Sequence, residues 1–260
     1  MTNRVPASLY NIVQAPPKEG PALSVVVPMY NEAENAGVLI EEIATALRGK
    51  VLFEIIAVND CSTDTTAAVL SGLKERFPEL RPLSHGQNAG QSRGVRTGIM
   101  AARSPVISTL DGDGQNNPAD IPALYTALTR DGAPASLMMV AGERQKRRDT
   151  AAKRYASRIA NGVRKNLLGD DANDTGCGLK VFYRDAFLRL PYFDHIHRYL
   201  PALMKREGYE VEFLPVSARE RLYGQSKYTN FQRAAVAIRD LMGVMWLKSR
   251  HRHPGSIEEL

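Results

Sequence analysis

The 260-residue chain is 43% hydrophobic and 24% charged, an ordinary globular composition with enough length to bury one large core, so a single catalytic domain is expected. Its formal charge of +6 and pI of about 9.3 favour anionic partners such as phosphates, nucleotides, nucleic acid or an acidic lipid face, without choosing among them. Cys61 and Cys177 lie far apart with no CxxC or Cys/His company, which excludes a structural zinc site and points to free thiols in a reducing compartment.

Residues 1–22 carry Pro6, Pro16, Pro17 and Pro21 but no apolar h-region, and read as a flexible leader of a cytoplasmic protein. From Leu23 the chain alternates β-branched runs with helical patterns: strands at Leu23–Val27 and Phe53–Val58, helices at Glu32–Leu47 and Thr63–Phe77. A short strand at Arg81–Ser84 precedes a helix from Asn88 to Ala102, and Val106–Leu110 is an apolar strand ending at Asp111. Pro118 suits the first turn of a helix reaching Leu128. This alternation predicts an α/β fold with a central, mostly parallel sheet wrapped by helices.

After a strand at Leu137–Ala141 comes the most basic stretch, with Arg144, Lys146, Arg147, Arg148, Lys153, Arg154 and Arg158. Tyr155, Ile159, Val163 and Leu167 repeat at i+4 through it, predicting a helix with one buried stripe and a cationic face. Strands at Gly178–Tyr183 and Val211–Val216 follow. A last helix over Tyr228–Leu247 ends in Trp246 and a basic tail, a composition suited to the headgroup zone of a bilayer. No run of 18 apolar residues occurs, which excludes an ordinary transmembrane helix and makes any membrane contact peripheral.

Ligands of parallel sheets collect at the carboxyl ends of the strands. Three such ends carry acids: Pro28-Met29-Tyr30-Asn31-Glu32, Asn59-Asp60-Cys61-Ser62-Thr63-Asp64 and Asp111-Gly112-Asp113-Gly114-Gln115. In the third, oxygen-bearing side chains alternate with glycines, which suits a small hard cation such as Mg²⁺ or Mn²⁺ bridging a diphosphate; a plain surface turn is the alternative. In the second, Ser62 or Thr63 is expected to cap the following helix, with Asp64 in its first turn, while Asp60 is aimed at a base or ribose.

The stretches VVVPMYNEAEN, VNDCSTD, NAGQSRGVRTGI, TLDGDGQNNPAD, DTGCGLKVFYRDAF and RERLYGQSKY, in this order, resemble family 2 glycosyltransferases of the dolichol- or polyprenyl-phosphate sugar synthase type. The resemblance spans residues 23–228 and implies the GT-A fold of nucleotide-diphospho-sugar transferases over residues 23–227; the amphipathic, interfacial helix and basic tail read from composition occupy 228–260. It implies that Pro28, Tyr30, Glu32, Asn59 and Asp60 surround the nucleotide, that Asp111, Asp113 and Gln115 hold the metal, and that Arg221 and Lys227 close over phosphate. Asn59 and Cys61 stand where the family commonly shows Asp and Gly, and Cys177 where it commonly shows Ser. UDP- and GDP-sugars both stay open as donors.

An inverting transfer to a phosphate monoester needs no general base, because such a group is largely dianionic at neutral pH. It does need cations to hold two anions together in a crevice of reduced dielectric. Arg144, Arg148, Arg154 and Arg221 are the candidates, with Ser157 one turn from Arg154; Lys146 and Arg147 read equally as solvated charges. Asp174 is expected to orient rather than to act as a base. His85 and His195 read as structural, and for His197-Arg198-Tyr199 facing the acceptor and packing are both open. A processive polysaccharide synthase is disfavoured because Asp149 follows Arg148 where a Gln-x-x-Arg-Trp motif needs Trp. A nucleotidyltransferase lacks its Gly-rich loop after the first strand, and no nucleic acid partner is expected from 7% aromatics without a recognition motif. A transferase acting on hydroxyl acceptors and a non-enzymatic nucleotide-sugar sensor are the alternatives, and a homo-oligomer stays open.

Overall fold

In the computed structural model the described residues are 20–145, 162, 164–217, 219 and 230–252. Their elements are β1 (Leu23–Met29), α1 (Ala33–Leu47), β2 (Phe53–Asn59), α2 (Thr66–Leu73), β3 (Leu80–Ser84), α3 (Gln91–Ala101), β4 (Val106–Thr109), α4 (Ile121–Thr129), β5 (Leu137–Arg144), β6 (Lys180–Tyr183) and β7 (Glu210–Val216). Short helices at Arg184–Leu188 and Leu200–Arg206 separate β6 from β7, and a terminal helix spans Asn230–Ser249. The sheet has seven strands in the order β3-β2-β1-β4-β6-β5-β7. It is parallel except at β6, which runs antiparallel to both β4 and β5. The expected mostly parallel sheet is present.

β1 and the last six residues of β2 are buried throughout, as continuous apolar runs must be when helices cover both faces. The reversal of β6 has a consequence for the site. Because Thr109, the last residue of β4, pairs with Lys180, the first of β6, β6 begins at the edge where the parallel strands end. α3 lies close on β1 because Gly94 and Gly98 carry no side chain. A Cβ at Gly98 would overlap Val26, and one at Gly94 would lie 3.0 Å from Pro28 Cβ. That fit carries the N-terminus of α3 to the tip of β1.

Several expected boundaries are corrected. α2 is shorter than Thr63–Phe77, because residues 62–65 are used in a turn. β5 runs on to Arg144, held by its pairing with Val216 of β7, so Arg144 closes the strand rather than following it. β6 begins two residues after Gly178, whose carbonyl instead accepts from Thr109 Oγ1 (2.8 Å). Of the expected stripe in the basic stretch, Tyr155, Ile159 and Val163 lie outside the described residues. Leu167 is 44% exposed and Leu168 is the buried neighbour, so the stripe is corrected at that end.

The terminal helix is docked on the body. Val244 is buried, Tyr199 Oη donates to Ala237 O (3.1 Å), Arg206 Nε donates to Leu247 O (3.0 Å), and His195 Nδ1 lies 2.9 Å from Asp240 Oδ2. Its other face exposes Ile238, Met242 and Trp246, spaced four residues apart and hence in one row. No helix among the described residues is long and apolar enough to cross a membrane.

Candidate functional site

The ends of β1 and β2 are in register, Met29 opposite Asn59, so the two following turns lie side by side and hydrogen-bond to each other. Ser62 Oγ accepts from Asn31 N (3.0 Å), Thr66 Oγ1 from Glu32 N (2.9 Å), and Asn31 Oδ1 from Thr63 N (2.8 Å). Ser62 and Thr63, one of which the sequence expected to cap α2, therefore do not; Asp64 Oδ1 takes the Thr66 N–H instead (2.9 Å). Both turns pass through the left-handed region, Asn31 at φ 55° and Cys61 at φ 57°. Asn tolerates that conformation, and at Cys61 it accounts for the glycine common in the resembled family. The mutual bonding fixes where Tyr30 and Glu32 emerge, and both line a cavity of about 890 Å³ at the carboxyl edge of the sheet.

Pro28 and Asp60 line the same cavity. Asp60 is already committed: Oδ1 accepts from Ala89 N (2.9 Å), Oδ2 from Gly90 N (2.7 Å), and His85 Nδ1 lies 2.7 Å from Oδ1. Asp60 thus pins the loop that leads into α3 while lining the cavity, with His85, held also by Thr97 (2.9 Å), in the structural role expected. Asn59 is not among the lining residues. Its amide nitrogen donates to Ser84 Oγ (2.9 Å) and its carbonyl oxygen accepts from Ser62 N (3.1 Å).

Asp111, Asp113 and Gln115 all line the cavity, as their spacing suggested. Asp111 is packed so tightly that a Cβ at Gly178 would overlap its carboxylate, and a Cβ at Gly112 would come 2.7 Å from Pro28 O. Gln91, at the start of α3, donates to Asp111 Oδ1 (2.7 Å). Burial, followed by the charge of Asp113, pushes the Asp111 carboxyl up to about 6, against the opposing pull of Lys180 and Arg144. Among the described residues no three His, Cys, Asp or Glu side chains converge on one metal position. Two carboxylates and an amide nevertheless fit Mg²⁺ or Mn²⁺, since such ions keep several waters and share substrate phosphates. The like-charge strain between the two acids is what a divalent cation relieves.

The opposite wall holds Lys180, which the motif spacing did not single out, beside His197 and Arg198, for which a place facing the acceptor was open. Lys180 lines the cavity and donates to Cys177 O; burial lowers its pKa while Asp111 partly restores it. Cys177 is buried and its thiol pushed up by that burial. His197, Arg198 and Leu200 complete the wall. Arg144 is not among the lining residues; it is gripped bidentately by Asp174 (2.7 and 2.9 Å). Burial opposes its charge, but the bonds and charge of Asp174 outweigh that and raise its pKa. Arg148, Arg154, Ser157, Arg221 and Lys227 lie outside the described residues.

The raised Asp111 pKa sets a pH dependence. Between the unfolded value of 3.8 and the folded value of about 6, the folded state keeps a proton that the unfolded chain has released, so stability falls as pH rises through that window. In chelator-treated buffer, Asp111→Asn is expected to unfold at higher urea than the wild type at about pH 7.5, the two converging near about pH 4. Parallel pH profiles for the two proteins contradict this.

Known proteins resemble this chain in sequence and in fold. The profile of Glycosyl transferase family 2 matches residues 24–190. The chain is 31% identical over 249 residues to a dodecaprenyl-phosphate galacturonate synthase of Rhizobium johnstonii, covering 92% of this chain and 71% of that one. It is 32% identical over 228 residues to an undecaprenyl-phosphate 4-deoxy-4-formamido-L-arabinose transferase of an Enterobacter species, covering 85% and 66%; the chain thus spans about two thirds of the length of these relatives. In three dimensions it is similar to glucosyl-3-phosphoglycerate synthase of Mycobacterium tuberculosis solved with Mn²⁺, UDP and glucosyl-3-phosphoglycerate, with a TM-score of 0.66, 15% identity and coverage of 91% and 82%. A mannosyltransferase of Pyrobaculum calidifontis solved with GDP-mannose and Mn²⁺ gives 0.64, 17%, and coverage of 96% and 71%. The fold is the GT-A fold, and the chain belongs to glycosyl transferase family 2.

Proposed function

We propose that this protein transfers a sugar, with inversion, from a UDP- or GDP-linked donor to a polyprenyl phosphate at the cytoplasmic face of a membrane. The observation that carries the proposal is the cavity's division of charge, with the paired acids Asp111 and Asp113 at the tip of β4 and cationic side chains on the wall beyond them. The two curated relatives are named for a polyprenyl-phosphate acceptor and for different sugars, so they support the acceptor and leave the sugar open.

Asp111, Asp113 and Gln115 would hold Mg²⁺ or Mn²⁺, which supplies Lewis-acid stabilisation of the departing diphosphate. Solved neighbours named with Mn²⁺ or Mg²⁺ beside a nucleotide support that assignment. Gln91 orients Asp111, and Lys180, tied to Cys177 O, adds positive charge beside it. Pro28, Tyr30 and Glu32 border the nucleotide end. A dianionic phosphate attacks without a base, so Asp174 serves Arg144 rather than the nucleophile. Arg148, Arg154 and Ser157 join the phosphate-binding set through the basic stretch that contains them, and Arg221 and Lys227 through the Arg-x-x-Gly-x-Ser-Lys motif. The exposed row Ile238, Met242 and Trp246 on the terminal helix is the surface proposed to rest in the headgroup zone.

Transfer of labelled sugar from UDP- or GDP-sugars to a short polyprenyl phosphate tests the reaction. Asp113→Ala is expected to lower it at least about a hundredfold, the loss of several kcal/mol of charge stabilisation, with an unchanged circular dichroism spectrum. Full activity in that variant refutes the metal assignment. Met242→Ser with Trp246→Ser is expected to weaken sedimentation with anionic vesicles by at least about tenfold without moving the unfolding midpoint, since neither side chain is in the core. Unchanged sedimentation contradicts the membrane surface proposed.

A further inference from the structure

We infer that Arg198, on the turn Ile196–Arg198, is the cation that receives the acceptor phosphate, an inference that rests on the phosphate-acceptor reading above. The order of strands in the sheet carries it. Asp60, Pro28, Tyr30 and Glu32 follow β2 and β1, the acids follow β4, and Lys180 opens β6. A nucleotide sugar whose diphosphate sits at Asp111 and Asp113, with its nucleotide toward β1 and β2, extends its sugar toward β6. An inverting nucleophile approaches from the side opposite the leaving diphosphate, and therefore meets the wall formed by Lys180, His197, Arg198 and Leu200.

Within that wall the groups are not equivalent. Lys180 is buried, engaged by Cys177 O and within the field of Asp111. His197 places Nδ1 2.7 Å from the Oγ of buried Ser92; burial, then the charges of Arg198 and Lys180, hold its pKa well below the usual value, so the ring is neutral. Arg144, the cation expected here from sequence, is held by Asp174 and does not line the cavity. Arg198 lines the cavity, and its backbone N–H is spent on His195 O (3.0 Å) while its guanidinium makes no hydrogen bond or ion pair with any described residue. Its guanidinium fork is suited to bidentate phosphate.

The same wall is informative about base chemistry. Every carboxylate among the described lining residues, namely Glu32, Asp60, Asp111 and Asp113, lies at the end of β1, β2 or β4, on the donor side. The acceptor side offers a guanidinium and a neutral imidazole, an arrangement that accepts an ionised nucleophile and does little to deprotonate a hydroxyl.

The test compares Arg198→Gln and Arg198→Lys with the wild type in two assays. In the first, the KM for a short polyprenyl phosphate and the calorimetric Kd for the donor are measured separately. Arg198→Gln is expected to raise the acceptor KM at least about tenfold, the size of a charge-assisted hydrogen bond, while the donor Kd changes less than about twofold; Arg198→Lys recovers part of the loss. In the second, farnesyl phosphate is expected to bind more tightly than farnesol to the wild type, and Arg198→Gln to lose that preference. Equal loss of donor and acceptor affinity puts the guanidinium on the diphosphate and overturns the inference, as does an acceptor KM unchanged in Arg198→Gln when the wild type uses polyprenyl phosphate. A wild type that transfers to hydroxyl acceptors and not to polyprenyl phosphate overturns the reaction proposed above and this inference with it.

Discussion

Asp111 and Asp113 stand one residue apart where the buried strand β4 meets the cavity, and the architecture around them keeps two like charges close. The absence of a side chain at Gly178 admits the Asp111 carboxylate, that at Gly112 lets the chain pass under Pro28 O, and Gln91 holds one Asp111 oxygen. Each arrangement preserves a charge density that water alone stabilises poorly, as the raised Asp111 pKa records. A site of this kind gains most from a divalent cation that arrives with a ligand of its own negative charge. A nucleoside diphosphate is such a ligand.

The surrounding structure positions the other groups relative to that centre. Mutual hydrogen bonds between the turns after β1 and β2 fix Tyr30 and Glu32, and Asp60 fixes the loop that delivers α3. Close packing at Gly94 and Gly98 then sets the height of α3, and with it Gln91. On the far side, the reversal of β6 brings Lys180 to the same edge. Helix Leu200–Arg206 follows the turn bearing His197 and Arg198, and the terminal helix is bound to this region through Tyr199, His195 and Arg206. The face proposed to meet a membrane is therefore carried by an element docked on the acceptor wall.

Much of this was legible in the sequence. The continuous apolar runs of β1 and β2, and the acids directly after β1, β2 and β4, announced a parallel sheet with a polar crevice at its carboxyl edge. Residue periodicity carries no strand direction, so nothing announced that β6 would run backwards and bring a buried lysine beside Asp111. The signal available was Lys180 itself, a cation in the otherwise apolar run Leu179–Tyr183. Gln91 opens a helix where a glutamine is unremarkable, and only tertiary packing reveals its partner. Arg144 and Asp174 were both noticed, but a separation of 30 residues concealed that they neutralise each other. Asn59 and Asp60 were both assigned to the nucleotide by position; Asp60 lines the cavity, whereas Asn59 is spent on Ser84 Oγ and Ser62 N, a local pairing that hydrogen-bond accounting resolves and sequence does not.

The central claim is that the β4 acids bind a divalent cation together with a diphosphate. Titration of the wild-type protein with Mn²⁺, followed by electron paramagnetic resonance of the free ion with and without UDP or GDP, addresses it directly. The account predicts weak binding of Mn²⁺ alone and at least about tenfold tighter binding once the matching diphosphate is present, a coupling that must be reciprocal. Mn²⁺ affinity that is the same with and without either diphosphate would contradict it.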